Sequence, residues 1–325
     1  MSNTMDGIKV ISSFVDCEFV SMSPALNSEG LSGFIDRAKA AGNWLEDELG
    51  LGVKGRIPAY YKALDQYKMV RGTFGDKLYE AIQSLSEMSD VIDVAERLRD
   101  QASPQFLATV KSAIYGPVFR GQREDAEREV FRNYLFELTV AATYERHGYA
   151  VDLSTKTDIL LKDPAIAIEC KRVTSRNKVR SRIEEAAKQI AQNEGSDRAC
   201  LGPVYIDITS LFEEAPTVYV FNETKFPDNL SRPSSDRDVV SGIGIQILRN
   251  TRPLIELIAE ECSDLPSDAI PCIVVNYDCI GFHVSLIHER AAVCKVGCLI
   301  SNDRYFDGEV VNLVKSTMGV EIPWN

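Results

Sequence analysis

The sequence predicts an α/β fold, a mixed central sheet flanked by helices, preceded by a mainly helical N-terminal region. Three observations carry this. Apolar residues between 31 and 98 recur at helical spacing. From about residue 121 the pattern becomes helix, hairpin, helix, strand. The later segments near 272–283 and 292–300 read as strands. The expected division is therefore residues 1–120 for the helical region and 121–325 for the α/β domain, with Arg120-Gly121-Gln122-Arg123 at the junction. At 325 residues the chain has length for one large or two modest domains with ample core.

Taken in order, residues 8–21 suit a strand, since Ile8, Val10, Phe14 and Val15 are β-prone. Leu31, Phe34, Ile35, Ala38, Trp44 and Leu45 follow helical spacing. So do Leu78, Ile82, Leu85, Ile92, Ala95 and Leu98. Ser103-Pro104 is a helix start, a capping serine followed by proline at the first helical position. A helix from about Glu124 to His147 places Val130, Tyr134, Glu137, Ala141 and Tyr144 along one stripe, with Phe131, Leu135, Leu138 and Ala142 beside it. Glu137 thus sits inside or at the rim of a wide apolar face, an unusual place for a glutamate. A strand is expected at Val204–Ile208. The polar stretch from Asn222 to Gly242, with Pro227 and Pro233, reads as a long loop.

The densest chemistry lies in Thr157-Asp158-Ile159-Leu160-Leu161, followed by Ile168-Glu169-Cys170-Lys171. Apolar, β-prone residues stand on both sides of Lys162-Asp163-Pro164-Ala165, which supplies turn chemistry. A turn centred on Asp163-Pro164 sets Asp158 opposite Glu169. Strand alternation then points Glu169 and Lys171 one way and Ile166, Ile168 and Cys170 the other. Two facing carboxylates repel and destabilise a sheet unless a cation bridges them.

This ordered set resembles the PD-(D/E)xK nuclease superfamily, whose fold is the restriction-endonuclease-like core. Asp158 matches the first acidic position, Glu169 the second and Lys171 the lysine. Glu137 matches a glutamate on the preceding helix, and Gln189 is a looser match to a glutamine on the following one. The resemblance covers roughly residues 124 to 210. It departs in having Thr157, not proline, before Asp158. An E-x-K triplet alone is uninformative: Glu223-Thr224-Lys225 is a second one, lacks a hairpin partner with an aspartate, and reads as a loop decoy. Plainer readings stand beside the functional ones. Glu137 could be a solvated helix residue, Asp158 a strand start, Lys171 an edge-strand lysine, and Gln189 an ordinary helix residue.

The resemblance implies phosphodiester hydrolysis assisted by Mg²⁺ or Mn²⁺. Asp158 and Glu169 would be direct ligands, with the backbone carbonyl of Cys170 as a further one. Glu137 would hold a water of the ion or a second ion. Lys171, protonated beside two carboxylates, would orient the attacking water and stabilise charge on the phosphate. The expected substrate is nucleic acid, DNA before RNA, in a restriction, repair or defence setting. The alternative is a non-catalytic interaction or regulatory protein that keeps the nuclease fold. An unrelated fold remains open if the hairpin does not form.

The net charge of −12 speaks against a nucleic-acid partner, which calls for a basic face. Its distribution softens the objection. Residues 1–120 hold 13 basic and 16 acidic side chains, residues 121–200 hold 14 of each, and residues 201–325 hold 9 and 18. Lys171, Arg172, Arg176, Lys178, Arg180, Arg182 and Lys188 follow in close order, opposed only by Glu184 and Glu185. This run is either a phosphate grip or a solvated charged face. The N-terminal helices could bind DNA, a partner protein or a second copy of the chain.

The eight cysteines fall mostly in apolar, strand-like segments without paired C-x-x-C spacing, which suits buried thiols in a reducing compartment. A zinc site from Cys294 and Cys298 with His283 and His288 is the alternative. No basic region followed by an apolar core opens the sequence, and no segment has the long apolar run of a membrane span. The expectation is a cytoplasmic protein with no membrane partner.

Overall fold

The computed structural model describes residues 8–21, 30–51, 56–69, 76–115, 130–193, 200–212, 217–222, 236–263, 270–284, 289–302 and 308–322. These form an α/β fold around one mixed sheet. In chain order the elements are strand β1 (Ile8–Ser21), helices α1 (Gly30–Asn43), α2 (Arg56–Met69), α3 (Asp76–Arg97), α4 (Pro104–Ile114) and α5 (Val130–Arg146), then strands β2 (Val151–Asp152), β3 (Ile159–Lys162) and β4 (Ala165–Arg172). Helix α6 (Val179–Asn193), strands β5 (Cys200–Asp207) and β6 (Thr217–Asn222), helix α7 (Asp236–Glu261), strands β7 (Cys272–Val284) and β8 (Glu289–Asn302), helix α8 (Glu309–Thr317) and strand β9 (Val320–Ile322) complete it.

The strand order is β2-β3-β4-β5-β7-β8-β1-β9, with β6 also pairing β7. Strands β4, β5 and β7 run parallel; β3–β4, β7–β8 and β8–β1 are antiparallel. The N-terminal region thus supplies a strand of the sheet as well as helices. Beside the expected elements, the structure adds α2, α7, α8, β2, β6 and β9.

Register divides the apolar residues into two cores on opposite faces. Cys170, Tyr205, Val274 and Leu299 lie side by side across four strands and join the core formed with α1–α5. The row Lys171, Ile206, Val275 and Cys298 belongs to the other face. There Ile206, Val275 and Cys298 pack with Val179, Ile183 and Ile190 of α6 and with Ile243, Ile247 and Ile255 of α7. Burial on both faces explains why the central strands read as continuous apolar runs rather than alternating ones.

Several expectations needed correction. The expected loop 222–242 ends earlier: α7 begins at Asp236, and residues 223–235, with the Glu223-Thr224-Lys225 triplet, lie outside the described residues. Val240, Ile243, Ile247, Leu254 and Ile258 give α7 an apolar stripe, although Pro253 lies inside the helix and removes one of its N–H donors. The junction 120–123 and the first residues of the helix expected from Glu124 also lie outside the described residues, where α5 is first seen at Val130. At α4 the Ser103 side chain accepts a hydrogen bond from the Phe106 N–H, with Pro104 at the first helical position, as the sequence suggested.

Candidate active site

The hairpin has the register that its turn implies. Lys162 pairs with Ala165, Leu161 with Ile166, Leu160 with Ala167 and Ile159 with Ile168, which brings Asp158 level with Glu169. Ile159, Leu161, Ile166 and Ile168 are buried in the core below α5, and their burial fixes the register, since a slip of one residue would turn all four outward. Glu169 and Lys171 consequently point to the opposite side. On β5 a bulge shifts the pairing, so that Ala167 faces Leu201 but Glu169 faces Val204. Gly202 makes this possible, because a Cβ there would overlap the Ala167 carbonyl oxygen.

Asp158, immediately before β3, accepts a hydrogen bond at Oδ2 from the Cys170 backbone N–H, at 2.8 Å. This ties the aspartate to the lysine-bearing strand. Lys171 Nζ lies 3.0 Å from Glu169 Oε2 and 3.6 Å from Asp158 Oδ2. The ammonium therefore sits between the two carboxylates. Glu169 is 0% exposed, and its Oε1 is buried with no hydrogen-bond partner. An unsatisfied buried carboxylate oxygen is costly in a folded protein.

Glu137 stands on α5, which packs on the other face of the hairpin, and the charges of this group reach it. Burial first, then the Asp158 carboxylate, push the Glu137 carboxyl up to about 8, against the pull of Lys171. Burial and Asp158 likewise raise Glu169 to about 7. Burial works against the charged form of Lys171, but Asp158 and Glu169 hold its pKa above the usual lysine value. The Cys170 thiol is buried on the α5 side, where burial raises its pKa well above the ordinary range. Only the Cys170 backbone thus faces the carboxylates. Gln189 stands on α6, which packs on β4 in the same face of the sheet, with its amide oxygen buried.

Comparison with protein-family models, curated proteins and solved structures finds no match.

The basic run divides. Arg172 turns to the face opposite Lys171, where its buried guanidinium donates from Nε to Asp207 and from a terminal nitrogen to Ser210. It is withdrawn from the surface and from any phosphate grip. Arg176 and Lys178 are exposed, while Arg180 and Arg182 pair on the α6 surface with Glu184 and Glu185, at 3.0 and 2.7 Å. Cys294 and Cys298 are buried in the core with α7. Among the described residues no three His, Cys, Asp or Glu side chains form a ready cage for a metal ion. No helix among them is long and apolar enough to cross a membrane.

Sequence reasoning missed two charge networks, one buried and one partly exposed. Glu87 of α3 accepts from Arg56 at 2.9 Å and from Arg132 at 2.8 Å, and both guanidiniums lie against the Phe131 ring, 4.1 and 4.5 Å from its centre. Lys295 of β8 reaches Asp90 and Asp93 of α3 at 2.9 and 3.1 Å. Charged residues within otherwise apolar helical and strand patterns were the available signal.

Proposed function

We propose that the protein is a metal-dependent nuclease built on a restriction-endonuclease-like core, hydrolysing phosphodiester bonds in DNA. The observation that carries this reading is the buried Glu169 carboxylate, one oxygen without a partner, facing Asp158 with only Lys171 between them. Such a donor set suits Mg²⁺ or Mn²⁺. Mg²⁺ takes hard oxygen ligands, binds through one or two carboxylates, and keeps several waters, so it needs no larger protein cage. Glu169 Oε1 and Asp158 would hold the ion, with the Cys170 carbonyl beside them.

When bound, the ion supplies Lewis acidity towards the phosphate and makes a water nucleophilic near neutral pH. The chain supplies the rest. Lys171, kept protonated by its neighbours, orients the attacking water and stabilises negative charge as it develops on the phosphate. Glu137, whose carboxyl is pushed up to about 8 by burial and the Asp158 charge, would hold a water of the ion once the bound cation favours its ionised form. Exposed Arg176 and Lys178, on the turn after β4, provide positive charge on the substrate side.

The test is incubation of the purified protein with double-stranded, single-stranded and branched DNA in Mg²⁺ or Mn²⁺, and in EDTA. Cleavage that EDTA abolishes is the expected result. If every substrate stays whole, the non-catalytic alternative, favoured by the net charge of −12, takes its place.

A further inference from the structure

A second site lies on the other face of β4. The register sets Arg172, Asp207, Asn276, Gly297 and Phe14 in one row across five strands, with Asp278 and Lys295 paired two residues further on. Helix α5 crosses above this row and presents Leu135, Phe136, Thr139, Val140 and Thr143. Between them is a cavity of about 100 Å³. It sits at the carboxyl ends of the parallel strands β4 and β5 and beside the middle of β7, close to the position where open α/β sheets form ligand crevices. Exposed Arg146 stands at its rim.

Three properties define what fits. The first is size. One water needs about 10–15 Å³ of such space, so the cavity holds roughly seven to ten non-hydrogen atoms, the size of a pyrimidine base or a small purine. The second is charge. Inside the cavity the cationic wall residues are already matched by carboxylates, Arg172 by Asp207, Lys295 by Asp90 and Asp93, and Arg132 by Glu87, which it shares with Arg56, while Arg146 is exposed at the rim. An anion or cation would lose its hydration without gaining an uncompensated countercharge, whereas a neutral ligand avoids that penalty. The third is surface. Phe14, Leu135, Phe136, Val140 and Met318 give apolar walls, while Asn276 offers a donor and an acceptor together. Gly297 keeps the floor open, because a Cβ there would overlap the Met318 side chain and press on Asn276.

We propose that this cavity binds a neutral planar heterocycle with both donors and acceptors on its edge, a purine or pyrimidine base. The base comes either from a free nucleoside or from a single strand that extrudes it. The site does not use the carboxylates of the hairpin, so it stands or falls independently of the cleavage reading.

The experiment measures binding of the full chain to adenosine, guanosine, cytidine, uridine and thymidine by calorimetry. In parallel, it follows the fluorescence of single-stranded DNA carrying 2-aminopurine. The variants are Thr143→Phe, which plugs the cavity from α5, and Thr143→Val, which keeps its volume. The Thr143 hydroxyl bonds back to the Thr139 carbonyl, so the valine variant changes little else. Saturable nucleoside binding that Thr143→Phe weakens at least tenfold and Thr143→Val retains supports a free ligand. A 2-aminopurine response with the same variant pattern, without nucleoside binding, supports an extruded base. Gly297→Ala, which forces Met318 to move, supplies the second block if Thr143→Phe does not fold. The proposal is overturned if neither probe binds, or if blocking variants bind as well as the unaltered chain.

Discussion

The Lys171 ammonium lies 3.0 Å from the fully buried Glu169 carboxylate on the same strand face, while Arg172, one residue later, is buried on the other. Strand alternation separates two adjacent cations into different environments. Lys171 is held where two carboxylates face each other; Arg172 is sealed into a pair with Asp207. The consequences of these placements can be measured.

Asp158→Ala and Lys171→Ala should each abolish the proposed metal-dependent cleavage. The aspartate variant should leave the melting temperature of the metal-free protein nearly unchanged, and the lysine variant should lower it at alkaline pH, because it strips buried Glu169 of its cation. Both side chains are partly solvated, at 21% and 12% exposure. Undiminished cleavage by the aspartate variant would remove the assigned site.

Glu169→Gln should raise the stability of the metal-free protein at about pH 8 and abolish metal binding. The amide keeps the shape but removes a buried charge with an unsatisfied oxygen. Calorimetry with Mg²⁺ and a thermal melt in EDTA read the two effects separately. A destabilised variant that still binds the ion would contradict the role given to Glu169.

Metal-free stability should fall as pH rises. A carboxyl whose folded pKa exceeds its unfolded value favours the folded state while protonated. Its contribution is complete below the ordinary glutamate value of 4.5 and is lost as pH rises through about 7 for Glu169 and about 8 for Glu137. Melts in EDTA should therefore drop between about pH 5.5 and pH 8.5, and Glu137→Gln should flatten the curve. On the proposed reading, added Mg²⁺ should restore stability at the alkaline end, because it would bind the folded, deprotonated site. An EDTA melt that rises across this range would count against the buried pair.

Neutralising Arg176, Lys178 and Arg180 together should weaken DNA binding without altering metal affinity. Each lost phosphate contact on a duplex should reduce the slope of log affinity against log salt by about 0.9. An unchanged slope would mark these side chains as an ordinary solvated surface.

Arg172→Met should destabilise the fold by about 3–5 kcal/mol, since it leaves the Asp207 carboxylate, still held by Thr209, buried without its cation. Replacing both residues by apolar ones of similar volume should recover much of that loss. Chemical denaturation of the two single variants and the double variant checks this. Additive single effects would show that the pair is not coupled.

The site was more legible than the fold. Asp158 and Glu169 could be set opposite each other because a short turn fixes the register of both strands by counting alone. The apolar residues beneath them then choose the face. The long helix α7 was hidden because Gly242, Gly244 and Pro253 interrupt a stripe that Val240, Ile243, Ile247, Leu254 and Ile258 maintain. Packing against the sheet overrides the local penalties of those residues. The Arg172–Asp207 pair was out of reach for another reason. It depends on β4 lying beside β5 across a long crossover, and no local pattern specifies which strands become neighbours.

Strand β1 runs beside β8 along nearly its whole length, and Ser13 approaches the Cys298 sulfur across 285 residues of intervening sequence. The sheet therefore joins the first part of the chain to the last. Closing so large a loop comes late and slows folding, because its entropy is lost before the contacts form. During synthesis, β1 leaves the ribosome long before its partner exists. It must wait as an unpaired, apolar segment, a hazard for association with other chains. A chain cut short before β8, at about residue 288, should therefore aggregate rather than form a shorter folded protein.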